Sequence, residues 1–211
     1  MALEPEKRER IINAALQEFA EQGYQDASTN RIVKAAGIGK GMLFYYFKSK
    51  RDLFLYLIEY SLEYIEQDYL SQLDNSSGDY IERLRQSTKV KLRALGKNPY
   101  VFAFGGSLHL SGGADVPPDI MARIVETQRS AHLARLADLD TSLFRDGIPP
   151  EMTIKLVQWA VEGYERELSA KLKATQVTNS LHRVDYGPFI ADFYVFLDVL
   201  KNVFYKEEVA L

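Results

Sequence analysis

Apolar positions recur at helical spacing along most of this chain. Ile11, Ile12, Ala15, Leu16, Phe19 and Ala20 fall on one face of a helix predicted over residues 6–22. Glu4, Glu6 and Glu9 suit its N-terminus and Gly23 its end. Ser28 or Thr29 can cap a second helix running to about Ala36, with Ile32, Val33 and Ala36 inward, and Gly37 ends it. A short third helix is predicted over 40–47. Ser49 caps a fourth, with Asp52 three residues on in a capping box, and Leu53, Leu57, Tyr60 and Tyr64 lead it towards Leu73. A fifth helix covers 80–95, closed by Gly96. Asn98-Pro99 opens a sixth that reaches Leu110, before Ser111-Gly112-Gly113 breaks it. Pro117-Pro118 starts a seventh, to about Leu139. After the turn Asp146–Pro150, an eighth covers 151–173. A polar connection spans 174–185, and Gly187-Pro188 opens a ninth that ends near Tyr205. No strand or internal repeat emerges. The expected fold is all-α, with about nine helices.

Charge changes this picture in one place. The chain of 211 residues has a net charge of −3. The window Ser28–Arg51, STNRIVKAAGIGKGMLFYYFKSKR, nevertheless holds Arg31, Lys34, Lys40, Lys48, Lys50 and Arg51 with no carboxylate. A local basic surface on an acidic chain points to a local polyanionic partner. Two short helical patterns joined by Gly37-Ile38-Gly39 have the lengths of a helix-turn-helix. In that motif the second helix enters the major groove of double-stranded DNA while the first braces it across the backbone. If this unit binds phosphates, affinity must fall steeply with salt, and substituting Lys50 should flatten that dependence by about one unit of slope.

The segment STNRIVKAAGIGKGMLFYYFKSKRDLF resembles the N-terminal domain of TetR-family transcriptional regulators. Thr29, Ile32, Ala36, Gly37, Gly41, Leu43, Phe47, Lys50 and Leu53 match that pattern, and the likeness extends over about residues 8–55. The resemblance implies a DNA-binding domain over 1–52 and a ligand-sensing and dimerisation domain over 53–211. It further implies phosphate contacts from Thr29, Tyr45, Tyr46 and Lys50, and base-edge positions at Lys40, Gly41 and Met42. Lys48 adds a further basic contact to the same surface. Two positions depart from the family: Gly39 stands where Ser or Thr is usual, and Phe44 stands where Tyr is common.

The remaining helices suggest a sensor. Tyr60, Tyr64, Phe102, Phe104, His109, Trp159 and Tyr164 are candidates for a pocket that takes a small apolar or aromatic effector. The last two helices carry wide apolar faces, including Val157, Ala160, Val161, Phe193, Phe196, Leu197 and Leu200. The resemblance implies that two such pairs form the four-helix interface of a homodimer. Such a dimer sets two recognition helices about one turn, ~34–36 Å, apart on a palindromic operator. The function expected is a ligand-responsive repressor released by its effector. The competing reading is an all-α small-molecule-binding dimer that has lost DNA binding.

Other chemistry finds no support. There are no cysteines, which removes disulfides, thiol catalysis and cysteine-ligated zinc. His109, His132 and His182 lie in three separate segments without metal-ligand spacing. The glycines near residue 40 fit neither a phosphate loop nor a dinucleotide fingerprint. The expectation is a non-enzyme with no cofactor and no metal. No apolar run reaches the roughly 18 residues of a membrane span, and the N-terminus lacks a signal-peptide core, so a cytoplasmic location is expected.

Overall fold

The computed structural model describes residues 4–174 and 186–207, except for the side chains of a few residues, including His109. His182 and most of the polar connection 174–185 lie outside the described residues. Nine α-helices occur among them. These are α1 (Pro5–Asp26), α2 (Thr29–Ala36), α3 (Lys40–Tyr46), α4 (Lys50–Asp68), α5 (Tyr80–Lys97), α6 (Pro99–Leu110), α7 (Pro118–Leu136), α8 (Pro150–Ala174) and α9 (Gly187–Phe204). One 3-10 turn follows α4 at Leu70–Gln72, so that helix stops short of the predicted Leu73. Gly96 does not close α5 as predicted. The helix runs on to Lys97, and the proline at 99 ends it by forbidding its predecessor the helical conformation. Gly23, at φ 69° and ψ 177°, breaks the first helix and lets one more turn follow at a new angle.

Contacts divide the chain into two compact units. One comprises residues 1–72 and 92–128, the other 73–91 and 129–211. A boundary at 52/53 falls inside α4. Leu53, Phe54, Leu57 and Ile58 of that helix lie in the same core as Ile11, Ile12, Leu16 and Phe19 of α1. The compact N-terminal unit is therefore larger than 1–52, and it recruits α6. Phe104 of α6 is fully buried against Phe19 (centroids 6.3 Å apart) and Phe54 (5.7 Å), and Phe19 meets Phe54 edge-on at 5.1 Å. Ile32, Ala36 and Leu43 drop into this core from α2 and α3. Burial of each large side chain contributes about 1.5–3 kcal/mol. Helices of eight and seven residues have no stability of their own in water, so this packing is what holds them. Arg8 adds a hydrogen bond from α1 to the Tyr56 hydroxyl of α4 (2.5 Å). Arg123 of α7 reaches Glu59 (2.5 Å) and Glu66 (3.5 Å) on α4.

The second unit packs Tyr80, Ile81, Leu84, Phe144, Val157, Leu197, Leu200 and Tyr205 together. Two polar devices lock it. The buried Arg83 guanidinium donates to the carbonyls of Ser77, Arg135 (2.9 Å), Ala137 (2.5 Å) and Asp138 (3.4 Å), which spend its charge on the negative end of α7. Asp79 caps α5 by accepting from the amides of Ile81 (2.8 Å) and Glu82 (3.2 Å). It also accepts the Tyr205 hydroxyl (2.9 Å) and pairs with Lys201 (2.9 Å). Phe144 and Tyr205 form an isolated antiparallel bridge beside it.

Burial pushes the Asp79 carboxyl up, but the Lys201 ammonium, the Tyr205 hydroxyl and the Glu82 amide overcome it and hold the group below the usual carboxylate range. A lowered folded-state value means stability that is present above the ordinary carboxylate pKa and lost as pH falls through the folded one. Asp79→Asn should therefore destabilise the protein by about 2 kcal/mol near neutral pH. In urea unfolding followed at several pH values, its deficit relative to wild type should shrink as pH falls below the ordinary carboxylate range.

Candidate nucleic-acid interface

The turn between α2 and α3 is built by backbone chemistry. Gly37 takes the left-handed conformation (φ 66°, ψ 40°), its N–H donates to Lys34 O, and the Ile38 N–H donates to Val33 O at 3.0 Å. This double bond pattern closes a helix C-terminus as a Schellman motif, and the positive φ suits glycine. Ile38 then turns to the core. Gly39 stands at the N-cap of α3 with no side chain to accept a hydrogen bond. At the far end of α3 the Ser49 hydroxyl accepts the Asp52 amide (3.0 Å), and the Asp52 carboxylate takes the Lys48 amide (3.0 Å). This is the predicted capping box, shifted by one residue on its return bond.

Helix α3 presents two faces. Leu43 is buried, whereas Lys40, Gly41, Met42, Phe44 and Tyr45 are exposed. Met42 is 38%, Phe44 37% and Tyr45 71% exposed. The Lys40 ammonium lies 5.9 Å from the Phe44 ring centre, within cation–π range. Tyr46 is half-buried and meets the Tyr45 ring edge-on at 4.9 Å. Thr29 opens α2, half-buried, and Lys48 is exposed. Lys40, Gly41, Met42, Tyr45 and Tyr46 thus share α3, with Lys48 just after it and Thr29 at the start of α2, in a stretch without carboxylates between Thr29 and Arg51. Phe44 belongs to the same exposed face and offers it a ring without a hydroxyl.

Two cations of the window bond within the chain, and Arg31 does so with 54% of its side chain still exposed. Arg31 grips Glu18 through Nε (2.8 and 3.0 Å) and Nη2 (2.6 Å), and Glu18 also takes the Ser28 amide at 2.7 Å. Ser28 itself makes no side-chain cap, so the buried Glu18 carboxylate serves the start of α2 in its place. No local spacing announces a pair thirteen residues apart across the Gly23 break. Lys50, expected at a phosphate, donates instead to the carbonyls of Tyr24 (2.8 Å), Gln25 (3.0 Å) and Ala27 (3.2 Å).

The sensor and dimer residues separate. Tyr60, Tyr64, Phe102 and Phe104 belong to the first unit. Phe104 is core rather than pocket lining. Tyr64 donates to Ala94 O at 2.8 Å and meets Phe102 edge-on at 6.4 Å, and Tyr60 accepts from Asn98 at 3.3 Å. Trp159 and Tyr164 belong to the second unit. Trp159 is 53% exposed beside Lys155, and Tyr164 stacks on Phe196 at 4.9 Å. Of the predicted interface, Val157, Leu197 and Leu200 are buried in the chain's own second core, so they leave no surface for a partner. Ala160, Val161, Phe193 and Phe196 are partly buried around that core.

The profile described as bacterial regulatory proteins, tetR family, matches residues 11–57, which are α1 to the middle of α4. Over residues 11–57 the chain carries a TetR-family N-terminal domain. Two HTH-type transcriptional regulators of Staphylococcus aureus, from strains USA300 and NCTC 8325 / PS 47, are each 35% identical to it over 99 residues, 43% of this chain and 54% of theirs. The chain thus spans about half the length of the curated relatives it matches. Among solved structures, a TetR family transcriptional regulator from Chloroflexus aurantiacus J-10-FL shares 22% identity and a TM-score of 0.64. That match covers 97% of this chain and 96% of that one. A gamma-butyrolactone receptor (ArpA-like protein) shares 22% identity with a TM-score of 0.60, over 97% and 90%. At these identities the likeness is one of fold, and it extends over the whole all-α architecture.

Against the TetR-family pattern, Gly39 is the position most open to repair. Its φ of −78° and ψ of 148° suit any residue, and a Cβ placed there meets nothing within 4 Å. Gly39→Ser should supply the missing N-cap and restrict the unfolded chain, raising stability by about 0.5–1 kcal/mol in thermal or urea melts.

Proposed function

We propose that this chain is a DNA-binding transcriptional repressor that acts as a homodimer on a palindromic operator and is released by a small apolar effector. The observation that carries the reading is the exposed face of α3, where Lys40, Met42 and Tyr45 stand out on a helix-turn-helix whose residues 28–51 include no carboxylate. The long side chains of Lys40 and Met42 suit base edges in the major groove, and Tyr45, Tyr46, Lys48 and Thr29 suit the flanking phosphates. The division of labour follows: α1 to α3 read DNA, and the later helices sense and dimerise.

The effector is best accommodated in the first unit. Tyr60, Tyr64 and Phe102 supply aromatic walls there, and the Ser61 hydroxyl is buried with no hydrogen-bond partner. Because Phe104 of α6 packs on Phe19 and Phe54, a ligand that displaces α6 disturbs α1 and α4 directly. A differential affinity of about 1–3 kcal/mol between DNA-competent and DNA-incompetent states shifts binding roughly 5- to 150-fold. For the dimer, α9 exposes Val195, Val199 and Val203 at helical spacing, and α8 exposes Met152 and Trp159. A monomer seldom leaves five large apolar groups on two helices in water, so we assign the subunit interface to them rather than to the buried Val157, Leu197 and Leu200.

Two outcomes test this reading. Binding to a duplex that the protein selects should weaken steeply with salt, and Lys40→Ala and Lys48→Ala should each flatten the slope of log K against log salt by about 0.9. A salt-independent affinity in a fluorescence-anisotropy titration contradicts DNA binding and leaves the small-molecule-binding dimer as the alternative. Val199→Asp should convert the dimer to a monomer in sedimentation at micromolar concentration, whereas Tyr45→Ala should leave it dimeric.

A further inference from the structure

The connection between α1 and α2 is held in an unusual way. Gly23 breaks the helix, and four consecutive carbonyls follow before α2 begins at Thr29. Each accepts a hydrogen bond from a side-chain cation. Lys50 Nζ donates to Tyr24 O, Gln25 O and Ala27 O, and Arg31 Nη2 donates to Asp26 O at 2.8 Å. The Lys50 ammonium also lies 4.9 Å from the Tyr24 ring centre. An ammonium has three hydrogens, and here three carbonyls receive them. Arg31 also donates to Glu18, whose carboxylate accepts the amide of Ser28, while 54% of the Arg31 side chain stays exposed. Carbonyls at the end of a helix lack partners within it and carry its negative dipole end, so two cations satisfy both the hydrogen-bond and the electrostatic demand.

We propose that Lys50 and Arg31 are positioning residues that fix the start of α2 through this carbonyl cage, and are not phosphate contacts. The proposal rests on the chain's being a DNA-binding protein. It follows that the six cations of the basic window divide into two that build the reading head and four, Lys34, Lys40, Lys48 and Arg51, that are left for the nucleic acid. Arg51 and Lys34 are exposed like Lys40 and Lys48.

Lys50→Arg separates the two roles because it keeps the charge. A planar guanidinium cannot aim three donors at three carbonyls spread around a single point, whereas it serves a phosphate as well as lysine does or better. The protein is titrated onto a duplex it has selected from a random pool and onto a scrambled duplex of equal length, across a series of salt concentrations. If Lys50 positions α2, Lys50→Arg and Lys50→Met should both lower the preference for the selected duplex by about ten-fold, the order expected when charge-assisted hydrogen bonds holding a reading element are lost. The salt slope should stay at the wild-type value in both. If Lys50 contacts a phosphate, Lys50→Met should lose about 0.9 of slope and weaken both duplexes alike, and Lys50→Arg should behave as wild type; that pattern overturns the proposal. Should Lys50→Met fail to fold, the Lys50→Arg result alone decides. A wild-type protein that binds neither duplex in a salt-dependent way sinks the DNA reading itself, a failure distinct from a change in slope.

Discussion

The meeting of Phe19, Phe54 and Phe104 is the interaction on which the candidate DNA-reading surface depends. Helix α3 has seven residues and α2 has eight, too few to persist alone in water. They exist because Leu43, Ile32 and Ala36 find a core already assembled by α1 and α4, and α6 completes that core from fifty residues further along the chain. The surface that faces solvent on α3 is therefore only as rigid as an aromatic cluster to which a later helix contributes. Replacing Phe104 with a smaller group opens a cavity in the reading unit itself, at a cost of about 3–5 kcal/mol. The same dependence links α6 to the candidate reading surface through α1 and α4, on which it packs.

Charge is organised by the same economy. Lysines and arginines in a carboxylate-free stretch look alike in a sequence, but they serve two ends here. Arg31 and Lys50 close the α1–α2 connection, Arg31 through the buried Glu18 and the Asp26 carbonyl, Lys50 through backbone carbonyls alone. Lys40 and Lys48 remain on the outside. In the second unit Arg83 and Lys201 do similar interior service, one on the end of α7 and the other on Asp79 at the start of α5. Arg31, Lys50 and Arg83 donate to carbonyls that a helix end leaves without partners, whereas Lys201 pairs with the carboxylate that caps α5.

Much of this was legible in the sequence, for identifiable reasons. The nine helices follow from apolar periodicity and from Pro and Gly punctuation, and the Gly37 turn follows from the one residue type that adopts its φ readily. The exposed and buried sides of α3 follow from the spacing of Leu43 against Met42 and Tyr45. What escaped was non-local. The partnership of Glu18 with Arg31 crosses the Gly23 break, and the three carbonyls that absorb Lys50 lie 23 to 26 residues before it. Apolar periodicity could not say whether Val157, Leu197 and Leu200 faced this chain's core or a second copy, because both are dry. The exposed valines of α9 occupy the other side of that helix. The boundary at 52/53 missed for the same reason, since α6 joins the first unit by packing that no local pattern records.

The central claim is that the α3 surface reads a two-fold symmetric DNA sequence, and selection of bound duplexes from a random-sequence pool followed by sequencing tests it most directly. The account predicts enrichment of an inverted repeat whose half-site centres lie about one helical turn, or a whole multiple of one, apart. Enrichment lost on Tyr45→Ala with Met42→Ala, in a protein that still dimerises, would tie the repeat to α3. Recovery of no sequence above the input pool, or of a motif that survives removal of these side chains unchanged, would contradict it.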